Sequence, residues 1–152
     1  MIRRTFLITG ASKGIGRALS HRLADAGHQV VGVARGEDSD FPGTLVSVDL
    51  DDSKSSGEVF ADLARRYSFD GVVNNVGLER LHPVGEIDLK DVDDMLRVNV
   101  YPTVQTLQAV LPTLKAKGWG RIVNVTSLVT IGVPLRSGYA AAKAAINSLT
   151  RT

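Results

Sequence analysis

Apolar positions along the chain fall into short runs, separated by longer stretches of a different period. The runs read TFLIT at 5–9, QVVGVA at 29–34, TLVSVD at 44–49, GVVNN at 71–75 and RIVNVTS at 121–127. They are rich in Val, Ile and Thr and are bounded by Gly, Asp or Asn, which predicts strands. At 30–34, 72–73 and 122–126 the apolar character is nearly continuous rather than alternating. That is the pattern of strands covered on both faces, as in a parallel sheet.

Between these runs the spacing turns helical. In GRALSHRLADAG, Ala18, Leu19, Leu23 and Ala26 share a face and Gly27 ends the run. SGEVFADLARRY sets Val59, Leu63 and Tyr67 on one side. From Leu89 to Lys117 a long stripe is carried by Val92, Met95, Leu96, Leu107, Val110, Leu111 and Leu114, and a last helix begins near Gly138. Strands alternating with helices predict right-handed βαβ units. The fold class is therefore α/β: a Rossmann-like, doubly wound parallel sheet in three layers, with strand order 3-2-1-4-5 by analogy. In that order the run from 121 is an edge, apolar and unpaired on one side, and such edges are normally covered. The last helix meets Thr152 with no capping Gly and no further strand, so the sheet is expected to be incomplete at its C-terminal end.

Composition narrows the class. The chain has 152 residues, 43% hydrophobic and 22% charged, which reads as one soluble globular domain over 1–152. A net charge of +2 is too small to imply nucleic acid or a membrane surface. The absence of cysteine excludes a disulfide framework and a thiolate metal site. No apolar run reaches the roughly 18 residues that span a bilayer. The start MIRRTFLITG enters a glycine loop without a signal-peptide cleavage site, so a cytoplasmic protein is expected. His21, His28 and His82 share no ligand spacing, and the acids of DLDD (49–52) and DVDD (91–94) read as helix-start charges. No metal is expected. Trp119, between two glycines, reads as packing.

The first candidate chemistry lies in TGASKGIGRA, where Gly10, Gly14 and Gly16 separate a strand from a helix. Glycines there let the backbone approach a pyrophosphate, and the first helical turn offers free N–H groups and a favourable dipole. The spacing G-x-x-x-G-x-G differs from the commoner G-x-G-x-x-G, and a plain structural turn stays open. The end of the second strand adds information. An acid there binds a ribose 2′-hydroxyl, and a base accommodates a 2′-phosphate. Here Ala34 stands in place of the acid, Arg35 follows it, and Lys13 lies in the loop. Two cations and no acid favour NADP(H) over NAD(H), the alternative being solvated surface charges.

A second group lies toward the other end. Tyr139 and Lys143 of GYAAAK are four apart on a helix, hence on one face. An ammonium beside a phenol favours the phenolate, so the tyrosine pKa is expected to fall from about 10 toward neutrality. Such a tyrosine exchanges a proton with a ketone or alcohol oxygen. Tyr four before Lys is by itself common and usually structural. Ser127 follows a strand at the carboxyl end, where open parallel sheets bind ligands; it can equally start a turn. Asn99 interrupts the apolar stripe of the long helix and needs partners for its amide. Pro102 either separates two helices or, within one, leaves the Val98 carbonyl unbonded.

Taken together and in order, these motifs resemble the short-chain dehydrogenase/reductase family, classical type. TGASKGIG resembles its cofactor loop, which implies cofactor contacts from Gly10, Ser12, Lys13, Gly14, Ile15 and Gly16. VDL implies an adenine contact from Asp49 with Leu50, and NNVG, with Val76 in place of the family's Ala, implies contacts from Asn75, Val76 and Gly77. Asn99, Ser127, Tyr139 and Lys143 match the catalytic tetrad. The resemblance implies an oxidoreductase of the ketone or 3-oxoacyl reductase type, passing a hydride between nicotinamide and a carbonyl or alcohol. Tyr139 would be the general acid or base, and Lys143 would lower its pKa and hold the nicotinamide ribose. Ser127 would position the substrate oxygen, and Asn99 would support a water joining Lys143 to solvent. Lys13 with Arg35 is similar to the NADPH-preferring members. The resemblance also implies a homo-oligomer built on the long helix and the Tyr139 helix. Members run to about 250 residues as one α/β domain. The alternative expectation is therefore a truncated cofactor-binding or assembly module without turnover.

Overall fold

The computed structural model describes residues 2–152. In chain order it contains β1 (Thr5–Thr9), α1 (Gly14–Asp25), β2 (Gln29–Ala34), β3 (Thr44–Ser47), α2 (Ser53–Arg66) and β4 (Gly71–Asn74). There follow α3 (Leu89–Lys117), β5 (Arg121–Asn124), a single 3-10 turn at Leu128–Ile131, and α4 (Ser137–Arg151). The five strands are all parallel and lie in the order β3-β2-β1-β4-β5, as the alternation predicts. Register is set through the central strand, where Leu7 stands opposite Val31 on one side and Val72 on the other.

The two faces of β1 feed two cores. Leu7, with Val31, Val33 and Val72, packs under Phe60 and Leu63 of α2 and Val110 and Leu114 of α3. Ile8, with Val30 and Val73, packs under Leu19 and Leu23 of α1. Beyond α2, the helices continue side by side, α2 against α3 and α3 against α4. Alternate residues of β1 serve opposite layers because strand side chains alternate across the sheet. No helix among the described residues is long and apolar enough to cross a membrane.

Local chemistry explains the helix ends. The Asp52 carboxylate accepts from the Lys54 and Ser55 N–H groups and caps α2, and Asp88 accepts from Lys90 N and caps α3. Gly118 ends α3 in the left-handed region at φ 61°. Pro102 and Pro112 lie inside α3, which runs unbroken for 29 residues. Pro102 therefore does not divide two helices, and it offers no N–H to the Val98 carbonyl.

Three expectations need correction. Ala18 and Ala26 are exposed, and α1 instead turns Gly16, Leu19, Ser20 and Leu23 inward. Leu111 of the α3 stripe is 37% exposed. β5 is not covered on both faces: Val123 is 51% exposed and Ile122 36%. Among the described residues β5 pairs with β4 alone, so the apolar edge anticipated from strand order is present. Trp119 packs beneath guanidinium groups, with Arg4 3.5 Å and Arg121 5.0 Å from its ring centre.

Candidate active site

The glycine loop sits at the carboxyl end of β1. Gly10, at φ +65°, donates from its N–H to the Val33 carbonyl at 2.8 Å, tying the loop to β2. The Thr9 hydroxyl accepts from Asn75 N and Val76 N at 3.0 and 3.2 Å, tying it to the end of β4. The Asn75 amide donates back to the Thr9 and Gly10 carbonyls at 3.0 and 3.2 Å. Gly16 makes this closeness possible: a Cβ there would lie 2.3 Å from the Gly10 oxygen. Gly14 opens α1 at φ +52°, which a side chain would resist. Lys13 precedes the helix with no side-chain cap, so first-turn N–H groups remain available to an anion. Ile15 points to solvent, 67% exposed.

A cleft of about 510 Å³ opens beside this loop. Its walls bring together Gly10, Ser12 and Lys13 of the loop, Ala34 and Arg35 at the end of β2, Asp49 and Leu50 after β3, and Asn75, Val76 and Gly77 after β4. Gly14, Ile15 and Gly16 lie behind this wall, in the first turn of α1. The cleft meets the needs of a dinucleotide in three respects. It has a glycine-lined loop at a helix start. It has two cations, Lys13 and Arg35, beside Ala34, and an apolar floor at Leu50, which is 3% exposed; Asp49, Asp51 and Asp94 also line it. Asp49 accepts from Asp51 N at 3.1 Å.

At the other end, α3 and α4 converge. Asn99 is 1% exposed and its amide donates to the Leu78 and Met95 carbonyls at 2.8 and 2.7 Å. Its Oδ1 is buried and has no protein partner. Gly77 lies alongside: a Cβ there would be 3.2 Å from Asn99 Oδ1 and 3.6 Å from Lys143 Nζ. Any side chain at 77 would thus crowd both groups. A buried acceptor with no protein partner calls for a further polar atom. Lys143 is 3% exposed, donates to the Val125 carbonyl at 3.0 Å, and has its pKa lowered by burial.

Tyr139 lies one turn before Lys143, with Nζ 5.6 Å from the ring centre. The expected depression of the tyrosine pKa is not found. Burial raises it first and Glu79 raises it further, with Arg136 opposing. Lys143 is turned to Val125 and does not offset these effects. Ser127 caps the 3-10 turn by accepting from Val129 N at 3.3 Å, and no hydrogen bond joins its hydroxyl to that of Tyr139 among the described residues. Glu79 forms an ion pair with Arg136 at 2.6 Å, which no local pattern announces because 57 residues separate the two. His82 engages Asp91 at 2.9 Å. Asp94 pairs with Lys90 at 3.0 Å and also with Arg97.

Residues 4–152 match the family model for short chain dehydrogenases. The chain is 31% identical to a D-beta-hydroxybutyrate dehydrogenase of Rhizobium meliloti (strain 1021), over 98% of this chain and 64% of that protein. It is 32% identical to an NADPH-dependent pterin aldehyde reductase of Arabidopsis thaliana, over 97% of this chain and 66% of that one. A crystal structure from Beutenbergia cavernae, described as an NAD(P)-dependent gluconate 5-dehydrogenase with bound NADP at low occupancy, superposes with a TM-score of 0.90 at 32% identity. That match covers 97% of this chain and 64% of the other. The chain thus spans just under two thirds of the length of these three relatives.

Proposed function

The chain belongs to the short-chain dehydrogenase family of NAD(P)-binding oxidoreductases, and on that premise we propose that it is an NADP(H)-dependent reductase or dehydrogenase acting on a carbonyl or alcohol, of the ketone or 3-oxoacyl type. The observation that carries this reading is the pair of cations at one end of the cleft: Lys13 and Arg35 line it beside Ala34, where an acid would select the other dinucleotide, while the carboxylates of the lining, Asp49, Asp51 and Asp94, come from the segment after β3 and from α3. The Arabidopsis and Beutenbergia relatives, linked by name to NADPH and NADP, support it.

The bound dinucleotide supplies or accepts a hydride at its nicotinamide. The chain's own residues do the rest. The Gly10–Gly16 loop and the start of α1 hold the pyrophosphate, Lys13 and Arg35 hold the 2′-phosphate, and Asp49, Leu50 and Asn75–Gly77 frame the adenosine. Tyr139 holds the proton that moves to or from the substrate oxygen, which Ser127 orients. Lys143 Nζ passes on the replacement proton through a water that Asn99 Oδ1 supports, both groups lying near Gly77, and Lys143 also holds the nicotinamide ribose. A single domain over 1–152, a homo-oligomeric state and a cytoplasmic setting belong to the same proposal. Light scattering that gives a monodisperse monomer would remove the oligomer from it.

A second reading, a dinucleotide-binding or assembly unit without turnover, is favoured by the raised Tyr139 pKa and by the exposed β5 edge. One experiment separates the two. NADPH oxidation is followed across a panel of ketones, aldehydes and 3-oxo thioesters, alongside NADPH binding by fluorescence. Saturable turnover with any member supports the enzyme; binding with no turnover supports a dinucleotide-binding unit; neither binding nor turnover defeats both of these and leaves only the assembly unit.

A further inference from the structure

The segment 35–43 joins β2 to β3 and carries Arg35, yet forms neither strand nor helix. It is anchored at both ends. The Ser47 hydroxyl donates to the Arg35 carbonyl at 3.2 Å. Phe41 lies against Gly32, where a Cβ would come within 2.5 Å of its Cζ, and packs on the Ile8 and Val30 core. The five residues between, Gly36–Asp40, are glycine and polar, and bury no apolar side chain that would hold them down.

Asp38 alone supplies that hold. Its Oδ2 accepts from Arg17 Nε at 2.6 Å and its Oδ1 from Arg17 Nη2 at 3.5 Å. Oδ1 also accepts from Asp40 N at 3.1 Å, and the Asp38 carbonyl accepts from Phe41 N at 3.1 Å. Among the described residues, Asp38 is the one side chain of 36–40 that hydrogen-bonds outside the segment. It is 11% exposed, whereas Arg17 is 40% exposed. Arg17 directly follows Gly16, in the first turn of α1. The pair therefore spans from the helix at the pyrophosphate end of the cleft to the loop that bears Arg35.

Two effects follow. An arginine fork on a carboxylate fixes orientation as well as distance, so the segment leaves Arg35 in one direction. The pair also cancels the negative charge of Asp38, which follows Arg35 in the same segment and, unpaired, would weaken the pull of that segment on an anion.

We infer that the Arg17–Asp38 pair is a positioning element for dinucleotide choice, acting through Arg35 rather than by contact with the cofactor. The inference rests on the reading that the cleft takes NADP(H). The test uses fluorescence titration of the whole chain with NADPH and with NADH, needing no substrate. Arg17→Met/Asp38→Asn removes one charge of each sign and so leaves the net charge unchanged. The expected result is about a tenfold weaker NADPH affinity with NADH affinity nearly unchanged, together with faster amide hydrogen exchange over 36–40. Arg17→Lys, which keeps the charge without the fork, moves the ratio the same way by less, and serves if the double variant does not fold.

Equal weakening of both dinucleotides would make the pair merely structural and overturn the inference. So would an unchanged NADPH affinity. Arg35→Ser in the same titration keeps the two claims apart. If it removes a preference for NADPH that the double variant retains, the inference fails and the NADP(H) reading stands. If the unaltered chain shows no preference, both fail.

Discussion

Gly16→Ala adds a single methyl at the tightest point of the loop. That methyl would lie 2.3 Å from the Gly10 oxygen, 2.7 Å from Asn75 Nδ2 and 3.0 Å from the Gly10 carbon. Two of these three atoms are backbone, so no rotamer change relieves the overlap. The third is already committed, since Asn75 Nδ2 donates to the Thr9 and Gly10 carbonyls. The start of α1 must therefore move away from the end of β1. Overpacking of this kind costs about 1–3 kcal/mol. At roughly 2–4 °C per kcal/mol for a chain of this size, the thermal midpoint should fall by about 2–12 °C. NADPH affinity should fall as well, because the free N–H groups of the first turn move with the helix. The assay is thermal unfolding by circular dichroism together with NADPH fluorescence titration. Gly57→Ala is the matched control. It lies within α2, where its new methyl meets no backbone, only the Gln105 amide nitrogen at 3.2 Å, which donates to the Ser53 carbonyl at 2.6 Å; the small adjustment this needs is offset by the up to about 1 kcal/mol that removing a helical glycine contributes, so its midpoint should move far less. The reasoning is refuted if Gly16→Ala melts with the unaltered chain and binds NADPH equally well.

Tyr139→Phe should lower carbonyl turnover by roughly 10²–10⁴-fold while NADPH still binds; comparable turnover in steady-state assays would remove Tyr139 from the proton transfer. Asp52→Ala deletes the cap of α2 and should cost about 1 kcal/mol, read as a lower midpoint in denaturant with an unchanged slope. For Asp70, burial pushes the carboxyl pKa up, but Lys117 at 2.7 Å and the Thr5 N–H at 2.8 Å hold it below its usual value. A folded pKa below the unfolded one means the unfolded chain binds more protons in acid. The stabilisation is thus present above about pH 4 and is lost as pH falls through the folded value. Asp70→Asn should melt lower at neutral pH yet lose less on acidification; parallel melting profiles from neutral to acid pH would contradict this.

The strand order was legible because apolar runs alternate with helical spacing, and parallel connections leave few arrangements open. The glycine loop, Arg35, Asp49 and Asn75–Gly77 converge on one cleft because each stands at the carboxyl end of its strand, which chain order already implies. What escaped was set by contacts across long separations. Tyr139 was expected to be acidified by its helical neighbour Lys143, but the helix gives only proximity. Whether Lys143 faces the phenol depends on Val125, and the phenol is held protonated first by burial and then by the charge of Glu79, with Arg136 opposing. Ala18 and Ala26 have helical spacing, but the face that α1 buries is chosen by the approach of Gly16 to Gly10. The Arg17–Asp38 pair joins residues 21 apart that belong to different motifs, so no local pattern announces it.

The account stands or falls on what the cleft between Lys13, Arg35 and Gly77 takes. Titrating NADPH and NADH into the same unaltered chain measures this directly. The account predicts saturable binding of both at one site, with NADPH at least about tenfold tighter, the value of a single well-placed phosphate contact. NADH binding as tightly as NADPH, or no saturable binding of either, would contradict it.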